Sequence, residues 1–145
     1  MSLSTRPKTT RANDPNLSSA RSLADPYDRH ATIVRGFITT PLLEGVIMDS
    51  HFTPRDRLGR LLAFMARILQ DQGVDQVKDI GVDERTALLL EPSSQARVVG
   101  SGSAYFLSAM HRPEVCRPGA PLTFRGVKTL QLRARERFNL ASWSR

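Results

Sequence analysis

Hydrophobic and polar positions along the chain change their period repeatedly after residue 30, and each change marks an element. Val46-Ile-Met48 is a short continuous apolar run closed by Asp49, the pattern of a strand buried on both faces, as in a parallel sheet. A stripe follows, with Leu58, Leu61, Leu62, Met65, Ile68 and Leu69 recurring at spacings of three and four and Arg57, Arg60, Arg67 and Gln70 between them. That spacing predicts an amphipathic helix near 56–71, with Thr53 or Asp56 as its cap, Pro54 in the first turn and Gly73 as its stop. Val77-Lys-Asp-Ile-Gly-Val-Asp83 is the next strand candidate. Strand, helix and strand over about forty residues form a βαβ unit, whose strands should run parallel with a right-handed crossover.

The rest of the chain reads as short β segments. Thr86–Glu91, the turn Pro92-Ser-Ser-Gln and Ala96–Val99 predict a hairpin, and 100–107 a further strand. Residues 111–120, with Pro113, Pro118 and Gly119, predict a loop, and 122–124 and 127–132 complete a β-rich end. Ahead of the run, 32–39 is β-prone but punctuated by Gly36, and residues 1–30 are polar with no period, which reads as a disordered basic tail before an ordered 31–145. The expected fold class is α/β, a βαβ unit followed by β-hairpins.

Composition narrows the partners. No apolar run approaches the roughly 18–20 residues of a membrane-spanning helix, and the first thirty residues lack the apolar core of a secretory signal. A single cysteine, Cys116, cannot close an internal disulfide, so a reducing compartment such as the cytoplasm is the expectation. With His30, His51 and His111 the only histidines, no metal site and no cofactor are called for. The net charge is +7, and 18 of the 21 basic residues are Arg. A small basic nucleic-acid binder would rest on that charge alone, because no stacking platform, finger or helix-turn-helix accompanies it.

In open α/β sheets, ligands and reactive groups gather beyond the carboxyl ends of the strands. Here one strand end offers Asp49 and His51, the next Asp83 and Glu84. On neighbouring strands, His51 and Glu84 come within reach of one another, and a histidine oriented by a carboxylate forms two-thirds of a nucleophilic triad. Arg55, Arg57 and Arg60 follow at once. They read either as a solvated basic face or as a cationic lip, since guanidinium forks bind carboxylates at two points.

These residues also carry a family resemblance. Asp49-Ser-His-Phe-Thr-Pro-Arg-Asp-Arg-Leu-Gly-Arg-Leu-Leu62 resembles the D-x-H-F-x-x-R-x-R-x-x-R-L motif of cyanophycinases. Gly81-Val-Asp-Glu-Arg-Thr-Ala-Leu88 is similar to their G-[IV]-D-E-x-T-A-L segment, and Val98-Val-Gly-Ser-Gly-Ser-Ala-Tyr105 to the strand turn that follows it. Pro121–Val127 and Phe138-Asn-Leu140 are similar to their C-terminal end, so the resemblance spans roughly 39–143. It implies a flavodoxin-like sheet and a serine-type peptidase that cuts the β-Asp-Arg polymer cyanophycin into dipeptides. It further implies His51 as general base, Glu84 as its orienting acid, Asp49 lining the pocket, and Arg55, Arg57 and Arg60 facing an acidic peptide polymer. The family's G-x-S-A-G elbow has no counterpart upstream of Asp49, Ser50 stands where the family commonly has Gln, and Gly100-Ser-Gly-Ser103 lies on the wrong side of the histidine in chain order. The expectation is therefore a carboxyl-terminal half of a cyanophycinase-like protein, inactive alone, that forms a homo-oligomer or pairs with a complementing amino-terminal half. The alternative is a non-catalytic partner of a full-length relative.

Overall fold

Residues 10–11, 17–35 and 40–145 are described by the structure, a computed structural model. Parts of the expected tail (1–9 and 12–16), and the 36–39 portion of the β-prone stretch, lie outside the described residues. The apolar run becomes β3 (Val46–Ser50), the stripe becomes α2 (Leu58–Gln72), and β4 (Val77–Val82) follows. The pair β3–β4 is parallel, with Asp49 opposite Gly81 and Ser50 opposite Val82. The βαβ unit is thus present as the apolar periodicity predicted, and α2 ends where Gly73 takes a left-handed φ of 63°. Its start differs from expectation. Neither Thr53 nor Asp56 caps it; Arg57 occupies the cap position without a side-chain hydrogen bond.

The expected parallel sheet is corrected to a mixed one. Past β4, the chain makes the hairpin β5 (Thr86–Leu90) and β6 (Gln95–Gly100), and then β7 (Ser103–Ala109) returns to pair antiparallel with β4. β8 (Lys128–Arg133) pairs antiparallel with β7, giving the order β3-β4-β7-β8 with a single parallel pair. The hairpin joins β9 (Arg137–Asn139) in a separate three-stranded sheet, β5-β6-β9. Residues 122–124, expected as a strand, contribute one isolated bridge, Thr123 to Val115.

Alternation along the central strands directs their side chains into two cores. Ile47, Val77, Leu107 and Ala109 pack beneath α2 with Leu61, Phe64, Met65, Ile68 and Leu69. Val46, Ile80, Ala104, Phe106 and Leu132 face the small sheet and meet Ala96, Val98 and Phe138, with Phe106 stacked on Phe138 at 3.9 Å between ring centroids. The central sheet is covered on both faces. Part of the expected tail contributes to this packing. β1 (Thr10–Arg11) pairs with β2 (Val34–Arg35), and α1 (Ser19–Ala24), capped by Ser18, lies against α2 with Leu17 and Ser22 buried. The Leu122 amide donates to the Leu23 carbonyl at 2.8 Å, tying α1 to the late loop.

Candidate active site

His51 is the first residue past β3, and Glu84 lies two residues past the end of β4. Because the two strands are parallel neighbours, both residues emerge at the same, carboxyl-terminal end of the sheet. His51 Nδ1 lies 2.6 Å from Glu84 Oε1, and both side chains are close to half exposed. If Nδ1 donates to the carboxylate, Nε2 is left as the basic nitrogen. Among the described residues, no hydrogen-bond partner meets Nε2. The hydrogen bond from His51 holds the Glu84 carboxyl below the usual glutamate range, with the charges of His51, Arg55 and Arg85 acting in the same sense. His51 and Arg85 both adopt left-handed backbone, at φ 53° and 50°, a conformation uncommon outside glycine.

Asp49, Arg57 and Arg60 form a second constellation behind this pair. Asp49 Oδ1 accepts from Arg57 Nη1 at 2.8 Å, from Arg60 Nη2 at 2.8 Å and from the Ser50 amide at 2.9 Å. Oδ2 accepts from Arg60 Nη2 at 2.7 Å. The Arg60 side chain is 3% exposed and Asp49 8%. The cationic lip expected of three arginines is therefore divided: Arg57 and Arg60 place their charge on Asp49, while Arg55 is exposed. Apposed to this cluster, on the α2 face of β4, Asp79 is fully buried. Burial, and then the nearby Asp49 charge, push its carboxyl well above the usual aspartate range; the Ile80 amide opposes the shift without forming a well-aligned hydrogen bond.

The loop after His51 is held by residues that periodicity does not mark. Phe52 lies over Gly81, where a Cβ would approach its ring to 2.5 Å, and packs on Tyr105 with centroids 4.8 Å apart. The Thr53 amide donates to Asp83 Oδ1 at 2.8 Å, and Thr53 Oγ1 lies 2.8 Å from the Tyr105 hydroxyl. Gln131 Nε2 donates to that hydroxyl and to Ser103 Oγ, at 3.1 and 2.9 Å. One signal was available in the sequence: a glycine inside a strand pattern marks a close approach.

Among the described residues, no group of histidine, cysteine and acid side chains is placed to hold a metal ion. Nor is any helix among them long and apolar enough to cross a membrane.

No protein-family model matches the chain. Cyanophycinases from Trichormus variabilis and from a Nostoc species are each 32% identical to it over 103 residues. The match takes in 68% of this chain and 33% of each relative, so the chain spans about a third of the length of the curated relatives it matches. The likeness is that of a distant relationship.

Proposed function

We propose that the chain is a cyanophycinase-like hydrolytic half-site, in which His51 is the general base and Glu84 the acid that orients it. The observation that carries this reading is the 2.6 Å contact from His51 Nδ1 to Glu84, with Nε2 free of partners among the described residues. An imidazole so held can take a proton from a hydroxyl at Nε2 and return it to a leaving amine. The Glu84 carboxylate supports this by stabilising the imidazolium formed on the way. In this reading the parallel β3–β4 pair with α2 is part of a flavodoxin-like sheet.

The hydroxyl nucleophile is supplied by a segment outside these 145 residues, on a strand-to-helix elbow presented to this end of the sheet. The substrate is a β-Asp-Arg polymer of the cyanophycin kind. Arg55, exposed beside the pair, faces its carboxylates, and the Asp49–Arg57–Arg60 cluster forms the floor. The lone Cys116, free and buried, accords with a reducing cytoplasm. That no described residue places a hydroxyl at Nε2 favours a second reading, in which the chain pairs with a full-length relative without catalysing.

Incubation of the purified chain with the polymer, alone and mixed with a separately expressed elbow-bearing segment, tests both. The proposal expects dipeptide release from the mixture alone and its loss with His51→Ala. Robust release by the chain alone would show a nucleophile already within it. No release from any mixture that forms a stable complex would leave the non-catalytic reading.

A further inference from the structure

We propose that Asp83 is the positioning residue of this site, clamping the loop that carries His51 so that the imidazole meets Glu84. The inference rests on the reading of His51 and Glu84 as a working pair, and deepens it. His51 leaves β3 in a left-handed conformation, and the residues that follow run through turns until α2 begins at Leu58. The Phe52 amide donates to the Val82 carbonyl at 3.3 Å, and turn bonds from Asp56 to Thr53 and from Arg57 to Phe52 close the segment on itself, but past Phe52 no backbone-to-backbone bond among the described residues ties it to the sheet. A side chain whose height above the sheet matters to within a few tenths of an ångström needs a tether there.

Asp83 supplies it from the adjoining strand end. One carboxylate oxygen accepts the Thr53 amide, two residues past His51, at 2.8 Å. The other accepts the Ser103 amide at the start of β7, at 3.0 Å. Asp83's own amide donates to the Ser103 carbonyl at 3.0 Å. The carboxylate is thus fixed to the central sheet on one side and to the His51 loop on the other, with charge-assisted hydrogen bonds on both. Asp83 precedes Glu84 in the chain, so the clamp and the acid that engages His51 are adjacent where β4 ends. The Thr53 hydroxyl against Tyr105, and Phe52 against Gly81, brace the same loop from its other sides.

Asn in place of Asp83 keeps the shape but offers one acceptor oxygen and an NH2 group, so one of the two bonds is lost. The Glu84 carboxyl then reports the consequence with a distinctive sign. Removing the neighbouring negative charge of Asp83 can only make Glu84 easier to ionise. Loosening its bond to His51 does the opposite. A carbon-detected NMR titration of Glu84 is therefore made on the full chain, the Asp83→Asn variant and the His51→Gln variant.

The expected result is a low Glu84 midpoint in the parent that rises toward the ordinary glutamate range in both variants. A midpoint that stays low or falls in Asp83→Asn, while rising in His51→Gln, would overturn the clamp and leave the pair standing. A midpoint unmoved in His51→Gln would show that the pair does not form in solution, and the clamp would fall with it. Should Asp83→Asn fail to fold, amide exchange on the parent decides. Slow exchange at Thr53 and Ser103 is expected, and exchange at free-peptide rates would refute the clamp.

Discussion

Gly81 stands in β4 opposite Asp49 and carries no side chain because the ring of Phe52 occupies the space where one would be. An added methyl must displace Phe52, and with it the turn that presents His51. Gly81→Ala is expected to cost about 1–3 kcal/mol, the usual range for overpacking, read as a shift in the urea midpoint. The arginines after His51 separate by the same reasoning. Arg60 is buried on Asp49, and Arg60→Met leaves Asp49 Oδ2 without its partner while Arg57 and the Ser50 amide stay on Oδ1, a loss of about 1–3 kcal/mol. Arg55 is exposed, and Arg55→Ala should leave the unfolding midpoint within about 0.5 kcal/mol while weakening retention on an immobilised β-Asp-Arg polymer. The spacing puts Arg57 and Arg60 on one helix face and Arg55 near the helix start. Which of them meets Asp49 depends on how α2 crosses β3, and spacing alone does not hold that information.

Among the elements, those with strong internal periodicity were legible. The stripe of α2 and the apolar run of β3 each specify a buried surface by themselves, and the parallel β3–β4 pair follows from the helix between them. The short elements were not legible. α1 has six residues and takes its stability from Leu17, Ser22 and the Leu122-to-Leu23 hydrogen bond rather than from a stripe. β9 has three residues and exists because Phe138 fills the second core. The insertion of β7 beside β4, which makes the sheet mixed, is a pairing choice that the period of either strand leaves open. β4 carries one residue at odds with its surroundings, Asp79. Its folded carboxyl titrates above the unfolded value of about 3.9, because burial and then the Asp49 charge disfavour ionisation. The neutral form is therefore the one that stabilises the fold, and its contribution is complete below the unfolded value and lost as pH rises toward the folded one. Asn mimics the neutral acid. Asp79→Asn should raise the melting temperature at neutral pH, and the gain should vanish near pH 4 in a series of thermal melts.

For the whole molecule, both faces of the central sheet are covered: α2, with α1 packed on it, lies on one and the β5-β6-β9 sheet on the other. Large apolar side chains with substantial exposure, namely Leu23, Leu58, Leu89 and Met110, are distributed among α1, α2, β5 and the end of β7. What remains are the two ends of the strand order. β8 is guarded by Lys128 and Arg133, both exposed, which discourages pairing with another strand. β3 has neither guard. Val46, Ile47 and Met48 run together there with no charge before Asp49; among the described residues β4 is their hydrogen-bonded partner, and the short β1 lies alongside without joining the sheet. Association is thus expected through β3, with a second copy in the isolated chain and with the elbow-bearing segment in the proposed complex. The two should compete, because one edge accepts one strand. Light scattering on the purified chain should give a mass above that of one copy, falling to that of a one-to-one complex when the second segment is added. Ile47→Lys and Met48→Lys would confound this by damaging the first and second cores, so Ser50→Lys, at the exposed end of the same strand, is the better probe of the edge. It should weaken self-association and complex formation together. A chain that is monomeric at all concentrations and still melts cooperatively would show that β3, with β1 alongside it, needs no further cover, and would remove the structural reason for expecting a partner there.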